Sequence, residues 1–258
     1  MNPKTERAQK ASAAPTGIHR GFAAAIAAVV VLTVLMVTIR SQEPIGAGIY
    51  YDDGAYLALA RSMASGDGYT YSNLPGDVPG EKSPPAYPAD LAVAWKAYGL
   101  YPETLTADKA LNALFWSLAA GGTFLLFARG NRPRVAAVGL VTLYAFLTVP
   151  SMSVATVLLS EPLFLFACVG ALLIAAADPA PAGPGGDGSG PASRWLGGEL
   201  GWAAAAGLAG IVAFLTRSIG LTLIVALLLP LLLRRRWQSA GFLTAMAGVP
   251  AIAWLAWA

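Results

Sequence analysis

The chain has 258 residues and a formal net charge of +3, but only 12% of its residues are charged, whereas 56% are hydrophobic. A soluble globular domain carries about 25% charged residues, so composition excludes a soluble enzyme and predicts an all-α polytopic membrane protein. The single cysteine, Cys168, excludes an intramolecular disulfide. With only one histidine, His19, carboxylates are the remaining candidate metal ligands.

Seven apolar segments are predicted to cross the membrane. The first, 21–39, has about nineteen residues, enough for the roughly 30 Å hydrocarbon core of a bilayer. Because Arg40 and further polar residues follow it directly, with no small-residue cleavage site, we predict an uncleaved helix rather than a signal peptide. The other six predicted spans are 109–128, 135–150, 161–177, 200–216, 219–233 and 240–257.

The basic residues predict the orientation of these spans. Eleven of the 17 lie in the tail 1–20 and in alternate short connections, and most of the other six lie in the long segment 40–108. Short cytoplasmic segments are enriched in Lys and Arg. The tail is therefore predicted to be cytoplasmic, and 40–108 to be the first external loop, on the periplasmic or extracytoplasmic side.

Two other features concern the organisation of the transmembrane module 21–258. Residues 178–198 are rich in Gly and Pro without a repeat, which predicts a disordered cytoplasmic linker. The last apolar run reaches Ala258 without a polar tail, and we predict from this that the chain is truncated at its C-terminus.

The external loop is the most acidic part of the chain, with eight of its fourteen acidic residues between positions 50 and 108. Asp52 and Asp53 precede an apolar stripe at helical spacing. This pattern predicts an amphipathic helix that ends at Gly66 or Gly68. The stripe consists of Tyr56, Leu59, Ala60 and Met63.

A second loop helix is predicted near 88–98, with Gly99 as its stop. Its apolar stripe consists of Leu91, Ala94, Trp95 and Tyr98. Both helices are expected to lie in the membrane interface. Between them lies a proline-rich polar segment with Asp77, Glu81 and Lys82.

The charged residues of the loop also have ordinary structural explanations. Asp52 and Asp53 could act as helix caps, each worth about 1 kcal/mol. Glu81 and Lys82 could form a surface ion pair, which contributes little to stability.

Two charged residues outside the loop are predicted to lie at the same membrane surface. Glu161 opens the fourth span, where it could simply cap the helix, and Arg217 lies between the fifth and sixth spans, where it could simply snorkel. A charge within the hydrocarbon costs roughly 2.5–3.5 kcal/mol on insertion scales, so charges near it are usually paired or functional. With the loop, these residues predict a cluster of acids and cations.

This combination suits the transfer of a sugar from a lipid-linked sugar phosphate. Lys82 and Arg217 could hold the phosphate, which lies at the headgroup level. Asp52 or Asp53 could take the proton of an acceptor hydroxyl as it attacks the anomeric carbon.

Three motifs resemble the GT-C superfamily of integral-membrane glycosyltransferases, in particular the protein O-mannosyltransferase and lipid A aminoarabinose transferase group. They are the pair Asp52-Asp53 with Tyr56, the segment 81–87 (EKSPPAY), and the segment 160–164 (SEPLF). The motif matches cover about 40–180.

The resemblance implies that Asp52 or Asp53 is the catalytic base and that Glu81 and Lys82 lie at the donor phosphate. Tyr56, Tyr87 and Glu161 would support the site. The chain departs from the pattern in two ways: Ser83 replaces the first proline of the run, and family members continue for several more spans.

The predicted function is therefore that of a membrane glycosyltransferase with a polyprenyl-phosphate sugar donor. The acceptor would be a hydroxyl of a lipid, a glycan or a protein. Membrane lipids would surround the enzyme, and nucleic acid is not an expected partner. No cofactor is required by the sequence, although a carboxylate cluster could take a divalent cation. The alternatives are a transporter or flippase for a lipid-linked or anionic solute and a non-catalytic membrane partner.

Overall fold

The computed structural model describes residues 16–42, 47–48, 51–76, 78–99, 103–130, 134–177 and 198–258. Its ten α-helices in these ranges are α1 Thr16–Arg40, α2 Tyr51–Ser65, α3 Ala86–Tyr98, α4 Glu103–Gly130, α5 Val135–Leu147, α6 Val149–Ala155, α7 Glu161–Ala176, α8 Glu199–Thr216, α9 Leu221–Leu233 and α10 Trp237–Trp257.

The all-α architecture is confirmed for the described part of the chain. Four of the described helices are long and apolar enough to cross a membrane, namely α1, α4, α8 and α10. The α5–α6 pair, bent by 65°, could form a fifth span. The apolar helix α7 has 16 residues, or about 24 Å at 1.5 Å per residue, short of the roughly 30 Å hydrocarbon core.

The long helices pack side by side in a chain of neighbours. Contacts join α1 to α4, α4 to α7, α7 to α8, and α8 to α10, with α5 against α1 and α4 and α9 against α8 and α10. Small residues allow close approach: Gly121 of α4 faces Val31 of α1, and Gly122 faces Val169 of α7. Large apolar side chains remain exposed on the outside of the bundle, which is consistent with a membrane protein; examples are Leu32, Leu140, Val149, Val225 and Leu233.

The α2–α3 region lies across one end of this bundle. The two helices pack on each other, and the chain between them forms an antiparallel bridge from Thr70 to Pro79. Two backbone hydrogen bonds support it, Tyr71 N to Val78 O at 2.8 Å and Gly80 N to Tyr69 O at 2.9 Å. The predicted helix stops at Gly66 and Gly99 are confirmed, because α2 ends at Ser65 and α3 at Tyr98, and both glycines adopt positive φ.

Three sequence-based boundaries or faces are corrected by the structure. The second loop helix begins at Ala86 rather than Pro88, and Tyr98, assigned to its apolar stripe, is exposed. The helix predicted from 109 begins at Glu103, so Asp108 and Lys109 are buried in α4 instead of lying in the loop or at its edge. An acidic first turn favours this earlier start, since it faces the positive end of the helix dipole.

Parts of the sequence interpretation lie outside the described residues. Of the tail 1–20, residues 16–20 belong to α1, and of the linker 178–198 only Gly198 is described. Asp77 is also outside the described residues.

Different side-chain contacts form at the two ends of the bundle. At one end, Trp254 of α10 meets Tyr69 of the loop, with ring centroids 6.0 Å apart. At the other end, Arg236 Nε donates to Glu199 Oε1 at 2.9 Å, which joins the start of α10 to the start of α8. The end that meets the loop also holds the turn between α8 and α9.

That turn depends on Gly220. A Cβ atom at this position would lie 2.5 Å from the carbonyl carbon of Ala213 and from the nitrogen of Phe214, which are backbone atoms of α8. We therefore expect Gly220→Ala to lower the free energy of unfolding by about 1–3 kcal/mol, as overpacking does, measured by thermal unfolding in detergent.

Gly241→Ala in α10 is the matched control, because a Cβ there meets no atom within 4 Å. Alanine should leave stability unchanged or raise it by up to about 1 kcal/mol. Equal stability of the two variants would show that the α8–α9 turn does not need the close approach.

Candidate functional site

An open cleft of about 330 Å³ lies where the loop meets the bundle. Three separate parts of the chain line it: the start of α2, the segment before α3, and the turn after α8. The lining residues are Asp52, Tyr56, Lys82, Ser83, Pro84, Thr216, Arg217, Ser218 and Ile219. Four of the residues selected from the sequence, Asp52, Tyr56, Lys82 and Arg217, are therefore brought together.

The first wall of the cleft is the start of α2. Asp52 and Tyr56 are four residues apart, so they share one face of the helix. The Tyr56 side chain is almost fully buried, and its hydroxyl lies 3.3 Å from Ser160 Oγ. Burial raises the pKa of Tyr56, which keeps the phenol a neutral hydrogen-bonding group at physiological pH.

The adjacent acid, Asp53, has a different environment. It is only 2% exposed and accepts hydrogen bonds from Gly48 N at 2.9 Å and from Gly54 N at 2.6 Å. Asp53 is not among the cleft-lining residues. Its carboxylate thus serves the backbone at the start of α2, whereas Asp52 is exposed and faces the cleft.

The second wall is the segment 82–84. Tyr69 OH donates to the Ser83 carbonyl oxygen at 2.5 Å, and Ser83 N donates to Gly80 O at 3.2 Å. These bonds hold the backbone beside Lys82, whose exposed side chain lines the cleft. Glu81 is also exposed but does not line it.

The third wall is the turn 216–219, where Arg217 forms an ion pair with Glu161 at the start of α7. Both side chains are partly exposed, Arg217 at 39% and Glu161 at 36%. The sequence placed these residues at one membrane surface, and the structure adds that they are direct partners.

Behind the cleft, Tyr87 is fully buried and meets Tyr56 edge to face, with ring centroids 5.0 Å apart. Its hydroxyl accepts a hydrogen bond from Asn112 Nδ2 at 3.0 Å. The same amide donates to the carbonyl oxygens of Val157 and Leu159, at 2.9 and 3.2 Å. Tyr87 therefore supports the cleft from behind rather than lining it.

Sequence reasoning missed Asn112 and Tyr69, and it named Ser160 only as part of the segment 160–164. Asn112 is the one amide side chain in the run 109–128, and a polar residue in a predicted span is a usable signal. Ser160 directly precedes Glu161, which the sequence had selected. For Tyr69, no local pattern indicates that its hydroxyl supports the wall at Ser83.

Two acids lie between α3 and α4, Asp108, which is buried, and Asp90, which is half-buried. Asp90 is one turn from Tyr87, and Asp108 one turn from Asn112, so the Tyr87–Asn112 bond places both carboxyl groups in the same interface. Neither Asp108 oxygen nor Asp90 Oδ2 has a hydrogen-bond partner in the described structure. Burial raises the pKa of Asp90 to about 6.

The acids of this region do not form a recognisable metal centre. Among the described residues, no three or more His, Cys, Asp or Glu side chains are grouped so that they could hold a metal ion. The described lining of the cleft has one carboxylate, Asp52, and two cations, Lys82 and Arg217. Such a lining is suited to an anionic ligand with a nearby proton acceptor.

Comparison with protein-family models, curated protein sequences and solved structures finds no match to this chain.

The raised pKa of Asp90 predicts a pH dependence of stability. Its protonated form is favoured by folding, so this contribution is complete below about pH 4 and is lost as the pH rises through about 6. Between pH 4 and pH 8 the unfolding free energy of the unmodified chain should fall by about 1–3 kcal/mol relative to that of Asp90→Asn. Thermal unfolding of both proteins across this range checks it.

Asp67→Asn is the control for this experiment, because Asp67 is exposed in the turn after α2. It should keep the pH profile of the unmodified chain. A profile for Asp90→Asn that runs parallel to that of the unmodified chain would show that folding does not change the pKa of Asp90, and would contradict the prediction.

Proposed function

We propose that the protein is a membrane glycosyltransferase that transfers a sugar from a polyprenyl-phosphate donor to an acceptor hydroxyl. The observation that carries the proposal is the cleft itself. Asp52, Lys82 and Arg217 come from three distant parts of the chain and line the same 330 Å³ space. The resemblance of the surrounding motifs to the GT-C superfamily supports the same reaction.

The proposed chemistry assigns one role to each charged side chain. The acceptor oxygen attacks the anomeric carbon, and the bond from that carbon to the phosphate oxygen breaks with its electron pair. Lys82 and Arg217 stabilise the negative charge on the departing polyprenyl phosphate. Asp52 takes the proton of the acceptor hydroxyl, and Asp53, bonded to backbone N–H groups, holds the start of α2.

The edge of the cleft suits a lipid-linked donor. Ile219 lines the cleft and is 62% exposed, and Leu221 of α9 follows it on the exposed apolar surface. A polyprenyl chain could leave the cleft over these residues and lie along the lipid-facing side of the bundle, while its phosphate remains beside Arg217.

The proposed membrane arrangement has seven crossings, with α5 and α6 together as one. The cytoplasmic tail would precede α1, and α2 and α3 would lie in the opposite, non-cytoplasmic interface. The contact of Trp254 with Tyr69 supports this arrangement, since a seventh crossing from the cytoplasm would bring the end of α10 to the loop. The short helices α7 and α9 could be matched by local thinning of the bilayer.

A transporter or flippase is the main alternative. Such proteins place ionisable groups near the middle of the membrane, in broken helices. Asp108 and Lys109 are buried in α4, but they lie within its first two turns. They are therefore close to the loop rather than at mid-membrane, and the enzyme remains the better proposal.

The orientation predicts the labelling of introduced cysteines. In a Cys168→Ser background, Asn73→Cys in the loop should react with an impermeant thiol reagent added to intact cells. Gln238 is exposed at the start of α10, at the opposite end of the bundle. Gln238→Cys should therefore react only after lysis. The reverse pattern would overturn the assigned sidedness.

The reaction predicts different losses for the base and for the phosphate ligand. Asp52→Asn should reduce sugar transfer by at least about 100-fold, the contribution of a general base, while polyprenyl phosphate still binds. Lys82→Ala should weaken polyprenyl phosphate binding by roughly tenfold or more, the loss of one charge-assisted contact. Transfer is measured in membranes with a set of radiolabelled polyprenyl-phosphate sugars, and binding with the purified chain.

Asp67→Asn and Lys96→Ala are matched controls, since both residues are exposed and lie away from the cleft. They should retain transfer and binding. Full transfer by Asp52→Asn would remove the base assignment, and unchanged affinity in Lys82→Ala would remove the phosphate role.

A further inference from the structure

We propose that Glu161 is the positioning residue of the anion site, because it holds the Arg217 guanidinium so that its remaining N–H groups face the donor phosphate. This inference rests on the proposed function. It identifies what fixes the orientation of the long, flexible arginine side chain in the cleft.

The backbone that carries Glu161 is held on both sides. Before it, Asn112 Nδ2 donates to the carbonyl oxygens of Val157 and Leu159, and the buried Ser160 side chain bonds Tyr56. After it, Pro162 occupies the first turn of α7 and restricts the backbone there. The carboxylate of Glu161 is therefore presented from a fixed point.

The backbone of Arg217 is fixed in the same way. Its N–H donates to Ala213 O at 3.0 Å, and its carbonyl oxygen accepts from Gly220 N at 2.8 Å. The close approach of Gly220 to α8 leaves this turn little freedom. The backbone does not fix the direction of the guanidinium, because the arginine side chain can adopt many rotamers.

The ion pair between them uses one edge of the arginine. Arg217 Nη1 contacts Glu161 Oε1, while Glu161 Oε2 is buried and has no partner in the described structure. A guanidinium has five N–H donors in one plane. One contact to Glu161 leaves other donors for a two-pronged contact with a phosphate in the cleft that Arg217 lines.

The magnitude of the pair also favours a positioning role. Both side chains are more than one-third exposed, and such ion pairs contribute only about 0–1 kcal/mol to stability. A change at Glu161 should therefore affect the anion site more than the folded state.

The test measures the affinity of the purified chain for polyprenyl phosphate without a sugar, with the corresponding polyprenol as the probe that lacks phosphate. Glu161→Ala should weaken polyprenyl phosphate binding about tenfold, as expected when one charge-assisted contact is misaligned. Glu161→Gln should lose less, because its amide oxygen can still accept from Arg217. Polyprenol binding should not change in either variant.

Two comparisons separate positioning from a structural effect. In an Arg217→Gln background, Glu161→Ala should cause no further loss, since no guanidinium remains to be oriented. Glu103→Ala is the matched control, because Glu103 is likewise the first acidic residue of a helix but is exposed and outside the cleft. It should bind polyprenyl phosphate normally.

Several results would overturn the inference. Tighter binding by Glu161→Ala would mean that Glu161 competes with the phosphate, and an equal loss in the Arg217→Gln background would mean a structural role. Normal binding by Glu161→Ala, with binding lost in Arg217→Gln, would overturn the positioning role alone. Normal binding by Arg217→Gln would instead overturn the proposed phosphate site itself.

Discussion

Two tyrosine hydroxyls attach the α2–α3 region to the helical bundle. Tyr56 bonds Ser160 at 3.3 Å, Tyr87 bonds Asn112 at 3.0 Å, and the two rings meet edge to face. Asp52 lies one turn before Tyr56, and Lys82 lies five residues before Tyr87. The positions of both charged groups beside Arg217 therefore depend on these two buried contacts.

Asn112 extends this attachment to a third part of the chain, the segment before α7. Its amide bonds the loop, through Tyr87, and the segment before α7, through two backbone carbonyls. Each such buried bond contributes only about 1 kcal/mol net, but an unsatisfied partner costs about 1–3 kcal/mol. The network consequently specifies one arrangement of loop, α4 and α7, and the cleft forms where that arrangement leaves space.

The two adjacent acids at the start of α2 have different roles. Asp53 accepts two backbone N–H groups in a buried site, whereas Asp52 faces the cleft. Consecutive residues of a helix point about 100° apart, so one of the pair can serve the fold while the other remains available to a ligand. Glu81 and Lys82 are both exposed, and of the two only Lys82 lines the cleft.

Much of the helical framework was predictable, because an apolar run is a local property of the sequence. The predicted segments 161–177 and 240–257 correspond to α7 and α10 within three residues at either end. The start of α4 was placed six residues too late, because Asp108 and Lys109 are charged residues typical of a loop, whereas the tertiary structure buries them within α4. The prediction for Tyr98 was wrong in the opposite direction: it was assigned to the apolar stripe but is exposed. An aromatic residue at helical spacing need not face the core.

The sequence by itself determined the all-α class, the apolar helices and a short set of charged candidates, because hydropathy and helical spacing depend only on nearby residues. The tertiary structure decided which candidates share a cleft, which acid of the pair faces it, and that Glu161 is the partner of Arg217. Those facts depend on contacts between segments up to 165 residues apart, from Asp52 to Arg217. No local pattern encodes such distances, since they arise only when buried polar groups find partners on other helices.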